Sequence, residues 1–372
     1  LKIGFDKLVF LALLFFLTLS PLTVNAVPDF GKYTKELKKL VDEASHILLI
    51  CHINPDGDAI GAMLALRKWI IARGKDASMI SPNALQKFLL WMKDIDRVVD
   101  FHHNVETGTR LIKEADLVIM VDFNSASRMG KAEQLVMSST ATKIMIDHHP
   151  DPGDFADMVI SDVNMSSTSE LVYNLVNTME GKEYDDSEFI TAIYVGIITD
   201  TGNFEHGYYS GDTMRLVGHL LDKGVDKERI FNHIFSNFSA DRMRLKGFAL
   251  NSRMVVNNDL HTAYIWLTRE DLEKHRHEKG DTEGFANMLL TMNGIVLSVL
   301  FVERTGFVKM SLRSKGTFNA NELSRQCFNG GGHRNAAGGE MKGTIEDVVK
   351  HFEKTLPSFR NKLEDAALEL EK

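Results

Sequence analysis

Four short runs of unbroken apolar residues stand out along the chain: HILLI at 46–50, DLVIMVDF at 116–123, KIMID at 143–147 and MVISD at 158–162. Strict alternation would mark strands with one wet face, whereas continuous Ile, Val and Leu mark strands covered on both faces, as in a parallel sheet between helices. A further run, IYVGII, leads into Thr199-Asp200 and reads as another strand end. Helical patterns separate the runs. They predict helices over 59–73, stopped by Gly74; over 84–93; and over 169–180, opened by a capping box from Ser167 to Glu170 and closed by Gly181. The first half is therefore expected to be α/β, a doubly wound and mostly parallel sheet.

The pattern changes twice beyond it. From 223 to 253 it is polar and helical with no strand-like run, which suggests a connecting segment. At Met254 the stretch MVVNNDLHTAYIWL reads as two strands around an Asn257-Asn258-Asp259 turn, a hairpin that opens a smaller α+β domain. The expected division is 27–222 for the first domain, 223–253 for the linker, 254–357 for the second domain and 358–372 for a solvated helical tail. A length of 372 residues fits two cores better than one.

Lys plus Arg number 43 and Asp plus Glu 51, a net charge of −8. An acidic chain is a poor non-specific binder of long duplexes, which depends on neutralising phosphates. Cys51 and Cys327 are far apart and belong to no CxxC, so neither a disulfide framework nor a thiolate metal site is expected. Residues 1–26 carry Lys2 and Lys7, a twelve-residue apolar run and a small-residue stop at Val24-Asn25-Ala26, the pattern of a secretory signal. Twelve residues of helix rise about 18 Å, too little for a stable transmembrane span. The chain opens with Leu, and its first Met, Met63, lies beyond the first chemical motif. The segment is accordingly expected to be an over-extended reading of a cytoplasmic protein, the alternative being an exported or anchored one.

Chemistry gathers where the apolar runs stop. The first ends in Cys51-His52-Ile53-Asn54-Pro55-Asp56-Gly57-Asp58, the second in Asp122, the third in Asp147-His148-His149, and IYVGII in Asp200. In an open parallel sheet such ends share one crevice. His52, Asp56, Asp58, Asp122, His148 and Asp200 form a sulfur-free set suited to Mn²⁺, Mg²⁺ or Zn²⁺. Four carboxylates in one crevice repel each other, and two divalent ions bring +4 against their −4, so two ions are expected. Gly57 is expected to let the loop turn so that Asp56 and Asp58 serve different ions, with Asp122 bridging. Any one of these motifs occurs by chance; their conjunction is the signal. Phe101-His102-His103 serves as a decoy, expected in a polar loop away from the strand ends. In the second domain, Gly330-Gly331-Gly332-His333-Arg334 suggests an anion-binding loop before a helix, although glycine loops are often only turns, and Arg313 is a second candidate phosphate ligand.

HINPDGDAIGA, VDFNSASRMG, IDHHP and TDTGNF, in that order, resemble the four motifs of the DHH phosphoesterase family, named for Asp147-His148-His149. SLRSKG followed by GGGHRNAAGG resembles the DHH-associated domain of its oligoribonuclease branch, so the resemblance spans roughly residues 27 to 357. It implies one metal site of His52, Asp56 and Asp122 and a second of Asp58, Asp122, His148 and Asp200. His149 would face the scissile phosphate and act with Asp122 and Asp58 in catalysis, supported by Asp147 and Arg128. Arg313, Gly330, Gly331, Gly332, His333 and Arg334 would hold substrate, with His149, Arg313, His333 and Arg334 adding positive charge. The implied enzyme is a Mn²⁺-dependent hydrolase of very short RNA and of 3′-phosphoadenosine 5′-phosphate (pAp), with linear or cyclic dinucleotides as further substrates. It would work by attack of a metal-activated hydroxide on phosphorus. Phe204-Glu205-His206-Gly207-Tyr208-Tyr209 departs from the basic or less acidic run expected after the fourth motif. An inorganic pyrophosphatase or exopolyphosphatase, a processive exonuclease and a non-catalytic nucleotide sensor are the rivals; a homodimer is compatible with each.

Overall fold

The computed structural model describes residues 31–205 and 207–371. The signal-like segment 1–26 lies outside them. The first half runs α1 (Gly31–Glu43), β1 (Ile47–Ile50), α2 (Gly57–Ala72), β2 (Ala77–Ser81), β3 (Val98–Asp100), α3 (Val105–Glu114), β4 (Leu117–Val121), α4 (Glu133–Ser138), β5 (Thr142–Asp147), β6 (Met158–Ser161), α5 (Thr168–Glu180), α6 (Ser187–Asp200), α7 (Gly211–Asp222) and α8 (Lys227–Phe235). The second half runs α9 (Ala240–Ser252), β7 (Met254–Asn257), β8 (Thr262–Leu267), α10 (Arg269–Lys274), α11 (Phe285–Leu289), β9 (Leu297–Arg304), β10 (Phe307–Ser314), α12 (Ala320–Cys327), β11 (Gly331–Gly332), β12 (Ala336–Lys342), α13 (Ile345–Thr355) and α14 (Arg360–Leu370).

The first sheet has the order β3-β2-β1-β4-β5-β6, with every pair parallel. Ile47 and Leu49 of β1 join a core built with α2, α5 and α6, while Leu48 and Ile50 join a second core on the opposite face. Both faces are thus covered, as the unbroken apolar runs require. The strand order reverses between β1 and β4, and at such a switch point a crevice opens beyond the carboxyl ends of the strands.

Several expectations change. IYVGII is helical, inside α6. A fully apolar stretch cannot be assigned by periodicity, and what marks its helix is the upstream cap, where the Asp186 side chain accepts from the amides of Glu188 and Phe189. The helix expected over 84–93 reduces to a 3₁₀ turn at Lys87–Leu89, bounded by Pro82 and by Asp94, whose φ is 61°. Strands β2 and β3 escaped notice because ASMIS and VVD are too short and mixed to stand out. Because β3 leads directly into Phe101-His102-His103, the decoy follows a strand end after all, but on the outer edge of the sheet.

The connecting segment belongs to neither half alone. Ile230 and Ile234 of α8 sit in the first core, Leu245 and Ala249 of α9 in the second half, so the chain crosses between them at 236–239. The second sheet is β11-β12-β10-β9-β8-β7, antiparallel except for β8 with β9. No helix follows the glycine run: Gly331 and Gly332 form β11 and pair with Gly338 and Ala337. Close packing demands glycine here, since a Cβ on Gly330 would lie 1.9 Å from the Gly338 carbonyl oxygen. Nor is the tail solvated, because Leu363, Ala366 and Ala367 of α14 are buried against Leu356 and Phe359. Among the described residues no helix is long and apolar enough to cross a membrane.

Candidate active site

Beyond β1 the chain turns through His52 and enters α2, whose N-cap is Asp56, with Oδ1 accepting from the amides of Asp58 and Ala59. Asp58, in the first turn, is fully buried, and its two oxygens accept from the amides of Thr168 (2.7 Å) and Ser169 (2.8 Å) at the start of α5. Thr168 also donates its hydroxyl to Asp122 Oδ1 at 2.9 Å. Sequence reasoning missed this role: Ser167 caps α5 as expected, but the residues it presents hold the carboxylates of two other motifs. Gly57 is in α2, not in a turn, and its bareness serves close packing, since a Cβ there would lie 2.4 Å from Thr199 Oγ1 of α6. That contact brings Asp200, the last residue of α6, up to the crevice.

Asp122 follows β4 with φ of 67°, a conformation disfavoured for a residue with a side chain. Its Oδ2 lies 3.3 Å from His52 Nε2, and its Oδ1 lies 3.9 Å from His148 Nε2 and 3.8 Å from His149 Nδ1. His52 Nε2 is also 3.8 Å from Asp56 Oδ1, and His148 Nε2 is 3.4 Å from Asp200 Oδ2 and 4.0 Å from Asp58 Oδ2. Four donor groups result among the described residues; two of them, His52 with Asp56 and Asp122, and Asp58 with His148 and Asp200, share no member, and the other two gather around His149. Asp122 stands between the His52 and Asp58 groups with one oxygen toward each.

Divalent cations fit these groups. Both imidazoles donate Nδ1–H to a backbone carbonyl, His52 to Ile53 (2.8 Å) and His148 to Met165 (3.2 Å), which aims Nε2 into the crevice. His148 Nε2 is buried with no hydrogen-bond partner among the described residues. Nitrogen–oxygen separations of 3.3 to 4.0 Å are long for hydrogen bonds but suit neighbouring ligands around an ion with bonds of about 2.1 Å. In the chain alone, protons stand in for that positive charge. Burial opposes charge on His52, yet Asp122 and Asp56 push it up to about 10; burial likewise opposes His148, which Asp200, Asp58 and Asp122 push up to about 9. Burial, partly offset by His148 and reinforced by Asp122 and Asp56, lifts Asp200 to about 6, and burial with Asp122 and Asp200 lifts Asp58 well above the usual carboxylate range.

Around this centre, His149 Nδ1 bonds Asp147 Oδ1 at 2.7 Å, and Asp147 is fully buried. The second half reaches the same place. His333 stacks on His149 with ring centroids 4.6 Å apart, and burial together with His149 and His148 pushes its own pKa down to about 3, so it is neutral rather than a source of positive charge. Arg313 and Arg128 each have a buried Nε without a partner among the described residues. Arg334 points elsewhere, donating to the Thr317 carbonyl on the surface. The decoy histidines are exposed, with His103 Nδ1 on Asp100, and join none of the donor groups.

Residues 46–197 match the DHH family, N-terminal domain, and residues 257–365 match the DHHA1 domain. An exopolyphosphatase-related protein of known crystal structure from Bacteroides fragilis is 38% identical, with a TM-score of 0.85 over 90% of this chain and 98% of that one. The chain belongs to the DHH family. Among other relatives, the bifunctional oligoribonuclease and PAP phosphatase NrnA of Bacillus subtilis is 27% identical over 82% of this chain and 92% of its own. RecJ of Thermus thermophilus, solved in complex with Mn²⁺, shares the fold at a TM-score of 0.50 and 15% identity, over 94% of this chain and 56% of that one. This DHH protein is thus a hydrolase whose acidic and imidazole cluster can bind metal.

Proposed function

We propose that this DHH protein hydrolyses short oligoribonucleotides and pAp using two divalent cations, with Mn²⁺ the first choice. The carrying observation is Asp122, whose two oxygens face separate donor groups, the placement of a carboxylate shared by two ions. His52, Asp56 and Asp122 would hold one ion, and Asp58, Asp122, His148 and Asp200 the other. When bound, such ions supply Lewis-acid charge and lower the pKa of a water to near neutrality. The chain's own residues position everything else. Asp147 fixes the His149 ring through Nδ1, leaving Nε2 to hold or pass a proton at the phosphoryl oxygens. Arg128 and Arg313, each with an unpaired buried Nε, are suited to bind phosphate oxygens, and neutral His333 completes the lining from the second half.

The stacking of His333 on His149 narrows the cleft between the halves, which favours short substrates. The activity in the name of the Bacillus subtilis relative supports nucleotide substrates, which would place the protein in the cytoplasm. A bare polyphosphate would need a longer row of cations than these two arginines. The test is initial rates with Mn²⁺ on a diribonucleotide, pAp and pyrophosphate. Turnover of the first two well above the third is expected; turnover of pyrophosphate alone would overturn the reading.

A further inference from the structure

One carboxylate in the cleft has no part in the metal centre. Glu283 lies in the loop between α10 and α11, and its Oε1 accepts from Gln86 Nε2 of the first half at 3.1 Å. Gln86 follows β2 on the same edge of the sheet as the metal centre. The neighbouring Asn83 and the metal-site loop are tied together by two hydrogen bonds, Asn54 N to Asn83 Oδ1 (2.6 Å) and Asn83 Nδ2 to Asn54 Oδ1 (3.0 Å). Glu283 is therefore carried by the second half but docked beside the loop that bears His52 and Asp56. Its charge is felt together with that of Asp56 and helps to hold the charge on Arg313.

The loop that presents it is rigidly held. Arg242 of α9, almost fully buried, donates Nε to the Asp281 carbonyl (3.0 Å) and Nη2 to the Glu283 carbonyl (2.7 Å), with its guanidinium 3.4 Å from the Phe238 ring centroid. Lys279 donates to the Ala84 carbonyl at 3.2 Å, and Lys87 pairs with Glu278. So fixed, Glu283 remains solvent-exposed, and its second oxygen takes no hydrogen bond among the described residues. Arg313, its neighbour in charge, donates Nη1 to the Leu312 carbonyl and keeps a buried Nε with no partner among the described residues. An unpaired cation and an open carboxylate in one cleft match a ligand that carries both an anion and a hydrogen-bond donor. Polyphosphate chains, once divalent ions have displaced their last P–OH proton, offer only the first. Nucleosides offer the second through sugar hydroxyls or base amino groups.

We propose that Glu283 is a specificity-determining residue that accepts a hydrogen bond from a nucleoside hydroxyl or amino group and repels substrates made only of phosphates. This rests on the nucleotide reading above and deepens it. The test is the affinity of Mn²⁺-loaded protein for AMP and for methylenediphosphonate, a chain analogue that is not hydrolysed, in wild type, Glu283→Ala and Glu283→Gln. In Glu283→Ala, AMP should bind roughly 10- to 100-fold more weakly, from loss of a charge-assisted hydrogen bond. Methylenediphosphonate should bind about fivefold more tightly, from loss of like-charge repulsion. Glu283→Gln, which keeps an acceptor and the contact to Gln86, should lose less AMP affinity and gain as much for the diphosphonate. Substituting 2′-deoxy-AMP or UMP for AMP separates the sources: the wild-type advantage disappears with the deoxy sugar if a 2′-hydroxyl is read, and with uracil if an amino group is read.

Opposite shifts are the signature, because a residue that merely latched the halves together would weaken both ligands on removal. Parallel losses, or no change in either affinity, would overturn the proposal. Wild-type protein that cleaves only pyrophosphate would refute the nucleotide reading on turnover, while the affinity pair still decides the role of Glu283.

Discussion

Replacing Gly61 with alanine should damage the metal centre from a distance. Gly61 lies where α2 crosses α6, and a Cβ there would stand 2.5 Å from the Ala192 carbonyl oxygen, against the 3.0 Å that real Cβ contacts keep. The obstacle is backbone and cannot rotate aside, so the helices must part by at least about 0.5 Å. Overpacking of this kind costs about 1–3 kcal/mol, whereas alanine in place of glycine inside a helix returns about 1 kcal/mol. A net loss of about 1 kcal/mol, and at most about 2, is expected. Asp58 rides on α2 and Asp200 on α6, so the same displacement separates two members of one donor group. Misplacement by about 1 Å can cost 100-fold in rate, and about tenfold in kcat/KM is expected here. Gly218, in α7 with open space around it, is the control: Gly218→Ala should be neutral or up to about 1 kcal/mol stabilising. Guanidinium unfolding followed by circular dichroism, with kcat/KM on a dinucleotide, compares the two variants. If Gly61→Ala matched Gly218→Ala in both stability and rate, the packing argument would be wrong.

Other consequences can be measured separately. His102→Ala and His103→Ala should leave kcat within a few-fold of wild type, since neither joins the donor groups; a loss as deep as that of His148→Ala would mean that the wrong histidine pair had been chosen. His52 and His148, pushed up to about 10 and about 9, should be protonated at pH 7.5, and metal ligation requires their Nε2 lone pairs, so these two imidazoles should release about two protons per chain on binding. Calorimetry in buffers of different ionisation enthalpy should show that release fall as pH climbs through 9 and 10, and a pH-independent value would contradict the assignment. Because both values are raised above 6.5, the chelated protein should hold that stabilisation fully below pH 6.5 and lose it as pH climbs through 9 and 10, read as a falling Tm. Arg313→Ala should raise KM for a dinucleotide roughly 10- to 100-fold with metal content unchanged, and loss of metal would show a different role.

The parallel sheet was legible because its central strands are buried on both faces, and HILLI or KIMID admits few other readings. Acidic and imidazole groups at strand ends were legible for the same reason: little else in a buried α/β edge calls for His52, Asp122 and His148 together. Apolar periodicity failed where burial erased it, as in α6, where only the Asp186 cap separates helix from strand. Glycine misled in two places. Gly57 looked like a turn former and Gly330 like part of an anion-binding loop, yet each serves a close approach, to Thr199 of a distant helix or to Gly338 across a strand pair. Contacts across the halves could not be read at all, because nothing near Glu283 or His333 in sequence points to Gln86 or His149.

Metal content and turnover of Asp122→Ala, measured side by side with wild type, test the shared carboxylate most directly. Wild-type protein loaded with Mn²⁺ and freed of excess should retain two ions per chain by elemental analysis. Since Asp122 Oδ2 faces the His52 group and Oδ1 the His148 group, its removal should release both ions and abolish hydrolysis together. An Asp122→Ala protein that kept two ions and normal turnover would contradict the account.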